Sequence, residues 1–161
     1  MKFIADVMLG KLAKRLRLLG LDVLYGPGLQ DNEIIRLSLE QDRIILTRDR
    51  SLSKRPLAAR HLLISSENVR DQLEQVLQTF RSSLDPTAFL TRCSVCNELL
   101  RAASKQEVRD LVPSYVYDRI NRFLQCSCCG RVYWKGNHVK NLTLSGLADQ
   151  NSRPPDTIKN N

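Results

Sequence analysis

Apolar positions in the first half of the chain switch repeatedly between the periods of a strand and of a helix. KFIAD (2–6) is a short apolar run closed by an acid and predicts a strand. Leu9, Leu12, Leu16 and Leu19 then recur at spacings of three and four, which is one face of a helix, and Gly20 is its stop signal. LDVLY (21–25) predicts a second strand, broken by GPG (26–28). Asp31 opens a helix that carries Ile34, Ile35, Leu37 and Leu39, and it suits the N-cap position. RIILT (43–47) is a third strand, residues 51–60 are helical or irregular, and HLLIS (61–65) is a fourth strand. Ser65 or Ser66 caps a last helix that buries Val69, Leu73, Val76, Leu77 and Phe80.

Strands that alternate with helices four times predict an α/β fold. Its core is a parallel sheet with right-handed crossovers and helices on its faces. The composition changes near Asp85-Pro86, and the expected boundary falls at about residue 88. Beyond it, CSVC (93–96) and CSCCG (126–130) flank a helix-like stretch, KQEVRDLVPSYVYDRINRF. The expected organisation is a first domain over 1–88, a small cysteine-containing domain over 89–148, and a disordered tail over 149–161 that lacks apolar periodicity.

Charge narrows the range of partners. Among 161 residues, 25 Lys+Arg stand against 17 Asp+Glu, a net charge of +8. That excess favours polyanions, with nucleic acid first and an anionic membrane surface second. No run approaches the roughly 18 apolar residues of a membrane span. The start, MKFIADVMLGK, lacks the apolar length and cleavage site of a secretory signal. A cytoplasmic protein is expected, and its five cysteines read as metal ligands or free thiols, not disulfides.

The acids fall where a parallel sheet presents its ligand-binding groups, beyond the carboxyl ends of the strands. Asp6 closes the first strand, Asp49 follows the third, and Asp31 opens the helix after the second, with Glu33 two residues on. Converging carboxylates repel unless a cation lies among them. A hard Mg²⁺ or Mn²⁺ ion fits that role, and one or two such ions can activate water against a phosphodiester. Each acid also has a bland reading. Asp31 and Asp49 could be helix caps, and Glu33 could be a first-turn residue answering the helix dipole.

Lys11, Lys14, Arg15 and Arg17 lie on the helix directly after Asp6, with no acid between Val7 and Leu21. They suit either a solvated face or a phosphate-tracking surface, to which Arg48 adds another cation. Cys93-x-x-Cys96 and Cys126-x-x-Cys129 have the spacing of a four-thiolate structural Zn²⁺ site. The stretch between the pairs reads as a helical insert between two knuckles, and Cys128 is left over. In YWKGNHVK (133–140), Tyr133 and Trp134 suit either a small core or base stacking. His138 could contact RNA phosphate, aid catalysis or do neither.

Taken together, FIADVMLGKLAKRLRLLGLDV (3–23), QDNEII (30–35), ILTRDRSL (45–52), the paired cysteines and YWKGNH (133–138) resemble a known family. The family is the C-terminal ribonuclease domain of the Mut-seven type, and the resemblance covers about residues 1–148. It implies a PIN-like nuclease fold followed by a zinc ribbon, and metal-dependent hydrolysis of RNA with Asp6, Asp31 and Asp49 at the acidic site. Such nucleases usually present four acids, and Glu33 is the candidate for the fourth. Two further function classes are expected alternatives: a non-catalytic RNA- or ribosome-binding adaptor of the same fold, and a phosphohydrolase of small phosphoesters.

Overall fold

A computed structural model describes residues 1–135 of the chain. Strands β1 (Lys2–Ala5), β2 (Asp22–Leu24), β3 (Ile44–Thr47) and β4 (His61–Leu63) form one sheet in the order β2-β1-β3-β4, with every neighbour parallel. Helix α1 (Gly10–Leu18) joins β1 to β2, α2 (Asp31–Gln41) joins β2 to β3, and the short α3 (Arg50–Ser53) lies between β3 and β4. Helix α4 (Val69–Thr79) follows β4.

The strands read as apolar runs because both sheet faces are covered. Phe3, Ala5 and Leu46 point to a core shared with Leu12 and Leu16 of α1 and Leu73, Val76 and Leu77 of α4. Ile4 and Ile45 point the other way, onto Ile34 and Ile35 of α2 and Leu52 of α3. Each fully buried Leu, Ile, Val or Phe among them contributes roughly 2 kcal/mol of transfer free energy.

Several local expectations change. Gln30, not Asp31, is the N-cap residue of α2, and Asp31 lies in its first turn. Asn68 caps α4 by accepting from Arg70 N at 2.8 Å, so neither Ser65 nor Ser66 is the cap. The helix-like stretch yields only α5 (Ser114–Arg119), with Pro113 as its N-cap residue.

β5 (Leu100–Ala103), β6 (Phe123–Cys126) and β7 (Val132–Trp134) form a second, antiparallel sheet around Val108, Val116 and Phe123. The chain reaches it across the end of α1, where Leu90 N donates to Leu18 O at 2.9 Å. Gly20 (φ +85°) permits this crossing, since a Cβ there would collide with Ala88 O.

The loop at the first cysteine pair covers the outer side of β2. Val23 N donates to Asn97 Oδ1 at 3.1 Å, and Val23 O accepts from Arg17 Nε at 2.9 Å. Asn97 Nδ2 and Arg43 Nη1 both donate to Asp22 Oδ1, at 2.8 and 2.7 Å, and Arg92 lies 3.8 Å from Asp22 Oδ2. Asp22 begins β2 and Arg43 precedes β3, so this network sits at the amino ends of the strands, opposite the acidic edge.

Candidate active site and metal centre

The sheet order places a topological switch between β1 and β3: the chain leaves β1 toward β2 on one side and returns to β3 on the other. Open parallel sheets bind ligands in the crevice beyond such a point. The residues next after these two strands' ends include Asp6 and Asp49.

Asp6 is 5% exposed, and its N–H extends the ladder by donating to Leu46 O at 2.9 Å. Its Oδ2 accepts from the Thr47 hydroxyl at 2.8 Å, and the same hydroxyl oxygen accepts from Asp49 N at 2.9 Å. The fully buried Thr47 thus spans the two acidic positions. Thr47 was legible in the sequence only as the end of a buried strand.

Asp49 is the N-cap of α3. Its Oδ1 accepts from Ser51 N at 2.7 Å and Ser51 Oγ at 2.5 Å. These two bonds, chiefly the hydroxyl's, hold the Asp49 carboxyl below its ordinary range. Asp6 Oδ1 and Asp49 Oδ2 take no part in the bonds to Thr47 and Ser51. Oxygen donors of this kind suit a hard cation such as Mg²⁺ or Mn²⁺.

Asp31 stands apart from this pair. Its Oδ2 faces Arg55 Nη2 at 3.2 Å, while Arg55 Nη1 donates to Asn32 Oδ1 at 2.6 Å. Glu33 is exposed on the first turn of α2. Among the described residues, only the cysteines draw three or more ligand-type side chains together. The expected convergence of Asp6, Asp31 and Asp49 is therefore a shared edge and not a closed cluster. No periodicity marks Arg55, which lies in the helical or irregular stretch 51–60.

The basic residues divide. Lys11 and Lys14 are exposed and Arg15 is half-buried on α1. Arg17 is 3% exposed and donates to Val23 O, to Ser94 O at 3.2 Å and to Val95 O at 2.6 Å. It is a structural clamp, and its expected place on a phosphate-tracking surface is corrected. Arg48 forms an ion pair with the exposed Glu67 at 2.6 Å.

The Sγ atoms of Cys93, Cys96, Cys126 and Cys129 all lie within 4.8 Å of one another. Cys93 and Cys129 are 3.7 Å apart, close to the roughly 3.8 Å edge of a tetrahedron with metal–sulfur bonds near 2.3 Å. The quartet is placed to bind a metal ion. Burial pushes the Cys93 thiol up, but hydrogen bonds from the Cys96 amide, the Tyr133 hydroxyl and the Val95 amide bring it down to about 6. Hydrogen bonding to Cys129, together with burial, pushes Cys96 up. Cys128 is exposed beside the quartet. Tyr133 places its hydroxyl 3.1 Å from Cys93 Sγ, and Trp134 packs edge-on against Phe123. Tyr133 is thus engaged with the first cysteine pair and Trp134 with the core of the antiparallel sheet. His138 and the tail lie outside the described residues.

The family model of the Mut7-C RNAse domain matches residues 1–145, and the chain belongs to that family. No curated protein matches the chain, and no solved structure does. Among the described residues no helix is long and apolar enough to cross a membrane.

Proposed function

We propose that the chain is a cytoplasmic ribonuclease dependent on Mg²⁺ or Mn²⁺, with a PIN-like nuclease domain over 1–88 and a zinc ribbon over 89–148. Family membership supports a nuclease-like role and RNA as the ligand. The observation that carries the mechanism is the Asp6–Thr47–Asp49 chain at the switch between β1 and β3.

Asp6 and Asp49 would hold the divalent ion through the oxygens not committed to Thr47 and Ser51, and Asp31 would complete the set directly or through water, with Glu33 as a possible fourth acid. Once bound, the ion supplies positive charge against the phosphate and a water of lowered pKa. Thr47 fixes the Asp6 carboxylate so that it need not reorganise when substrate arrives. Lys11, Lys14 and Arg15 hold the RNA backbone, and Arg48 adds a cation by leaving Glu67. The four cysteines bind Zn²⁺, which stabilises the ribbon and takes no part in the chemistry.

The test is cleavage of single-stranded RNA by Asp49→Asn with added Mn²⁺, run beside a melting curve. Asn caps a helix about as well as Asp but is a poor ligand for a hard ion. Lost cleavage with an unchanged melt is expected. Cleavage at the wild-type rate would remove Asp49 from the mechanism, whereas no cleavage by the wild type itself would favour the non-catalytic RNA-binding adaptor.

A further inference from the structure

The acidic edge already contains a cation. The turn after α3 sets Arg55 there: its N–H donates to Leu52 O at 3.1 Å, and Ala58 N closes on its carbonyl at 2.9 Å. The guanidinium then forks across the start of α2, onto Asp31 and Asn32. One guanidinium therefore holds both the Asp31 carboxylate and the Asn32 amide oxygen at the start of α2. The pair is open to exchange, because the Arg55 and Asp31 side chains are 40% and 39% exposed.

A divalent ion and a guanidinium compete for such oxygens. An ion entering beside Asp31 repels the guanidinium at short range and takes over its counter-charge. The released fork keeps a planar set of donors that matches a phosphate bidentately.

We propose that Arg55 stands in for the divalent ion at Asp31 while none is bound, and turns to the RNA phosphate when the ion enters. This rests on the ribonuclease reading and deepens it by making ion binding and RNA binding mutually reinforcing through one residue. Arg55 is in this sense a positioning residue.

The test compares wild type, Arg55→Gln and Arg55→Lys in calorimetric titrations with Mn²⁺. A second measurement follows the affinity of each for a phosphorothioate oligoribonucleotide, with and without Mn²⁺. Removing the competing charge should tighten Mn²⁺ binding by Arg55→Gln about fivefold. Mn²⁺ should raise the RNA affinity of wild type about tenfold more than that of Arg55→Gln. Arg55→Lys keeps the charge without the fork and should fall between them, and it carries the test if the Gln variant does not fold. If Mn²⁺ affinity and its effect on RNA binding are the same in wild type and variants, the role of Arg55 is overturned. Wild type that takes up no Mn²⁺ overturns the ribonuclease reading and this inference together. Tighter Mn²⁺ binding in Arg55→Gln, alongside full cleavage by Asp49→Asn, would overturn the catalytic role of Asp49 alone and leave the competition standing.

Discussion

Asn97 Nδ2 lies 2.8 Å from Asp22 Oδ1, and this bond ties the loop of the first cysteine pair to the start of an edge strand of the parallel sheet. The backbone of Asn97 is left-handed (φ 67°), a conformation that Asn tolerates better than most residues. Asn97→Ala loses the bonds to Asp22 and Val23 and adds backbone strain. It should cost about 2–3 kcal/mol, read by urea denaturation. Asn97→Gly removes the strain alone and should recover part of that loss.

Asp22 sets a pH dependence. Burial raises its carboxyl, but hydrogen bonds from Arg43 and Asn97 outweigh this and hold it below its ordinary 3.8. The unfolded state therefore binds the proton more readily. The resulting stability is fully present above the unfolded value and is lost as pH falls through the lower folded value. Denaturation curves below about pH 4 should show a steeper acid loss in wild type than in Asp22→Asn. At neutral pH the variant should be weaker by about 2 kcal/mol, since Arg43 loses its counter-charge.

Thr47→Val preserves shape and removes the hydroxyl that joins Asp6 to the Asp49 amide. A cost of about 1–2 kcal/mol is expected from the unsatisfied groups. RNA cleavage should fall with it, and Thr47→Ser should restore both. Guanidinium unfolding and a cleavage assay on the same preparations check this. Full cleavage by Thr47→Val would mean that the Asp6 carboxylate needs no such support.

Elemental analysis should find one Zn²⁺ per chain in wild type and in Cys128→Ser, but none in Cys96→Ser. Removing the metal with a chelator should also loosen β2, because Asn97 of the cysteine loop accepts from Val23 N and Arg17 of α1 links Val23 O to that loop's carbonyls. Faster hydrogen exchange at the Val23 amide is the measurement.

Neutralising Lys11, Lys14 and Arg15 should weaken RNA binding across sequences alike. The dependence of log K on log salt should flatten by roughly 2, at about 0.7 per phosphate for a single strand. Arg17→Met should instead cost about 2–4 kcal/mol of stability by leaving three carbonyls without their donor. An unchanged salt slope in the triple variant would make that face of α1 solvated surface only.

The four strands and the helices between them were legible because burial on both faces leaves continuous apolar runs. The cysteine pairing was legible because metal geometry fixes spacing. Arg17 was not, since nothing local marks a buried arginine whose acceptor, Ser94 O, lies 77 positions away. Asn68 displaced the two serines as cap because α4 begins at Val69, the first residue of its apolar face, so the cap falls directly before it. The acidic edge was legible as three positions. Its actual connections through Thr47 and Arg55 depend on side-chain reach, which no periodicity encodes.

The cover on β2 has a temporal side. Ribosomes deliver the amino end first, so β1 to β4 are all outside before Asn97 emerges. In that interval Val23 has Arg17 on its carbonyl and nothing on its amide, and an open strand edge invites pairing with another chain. The loop that carries two of the metal-binding thiols thus also ends the nascent chain's period of exposure, and the order of synthesis makes it the last safeguard of a sheet built before it.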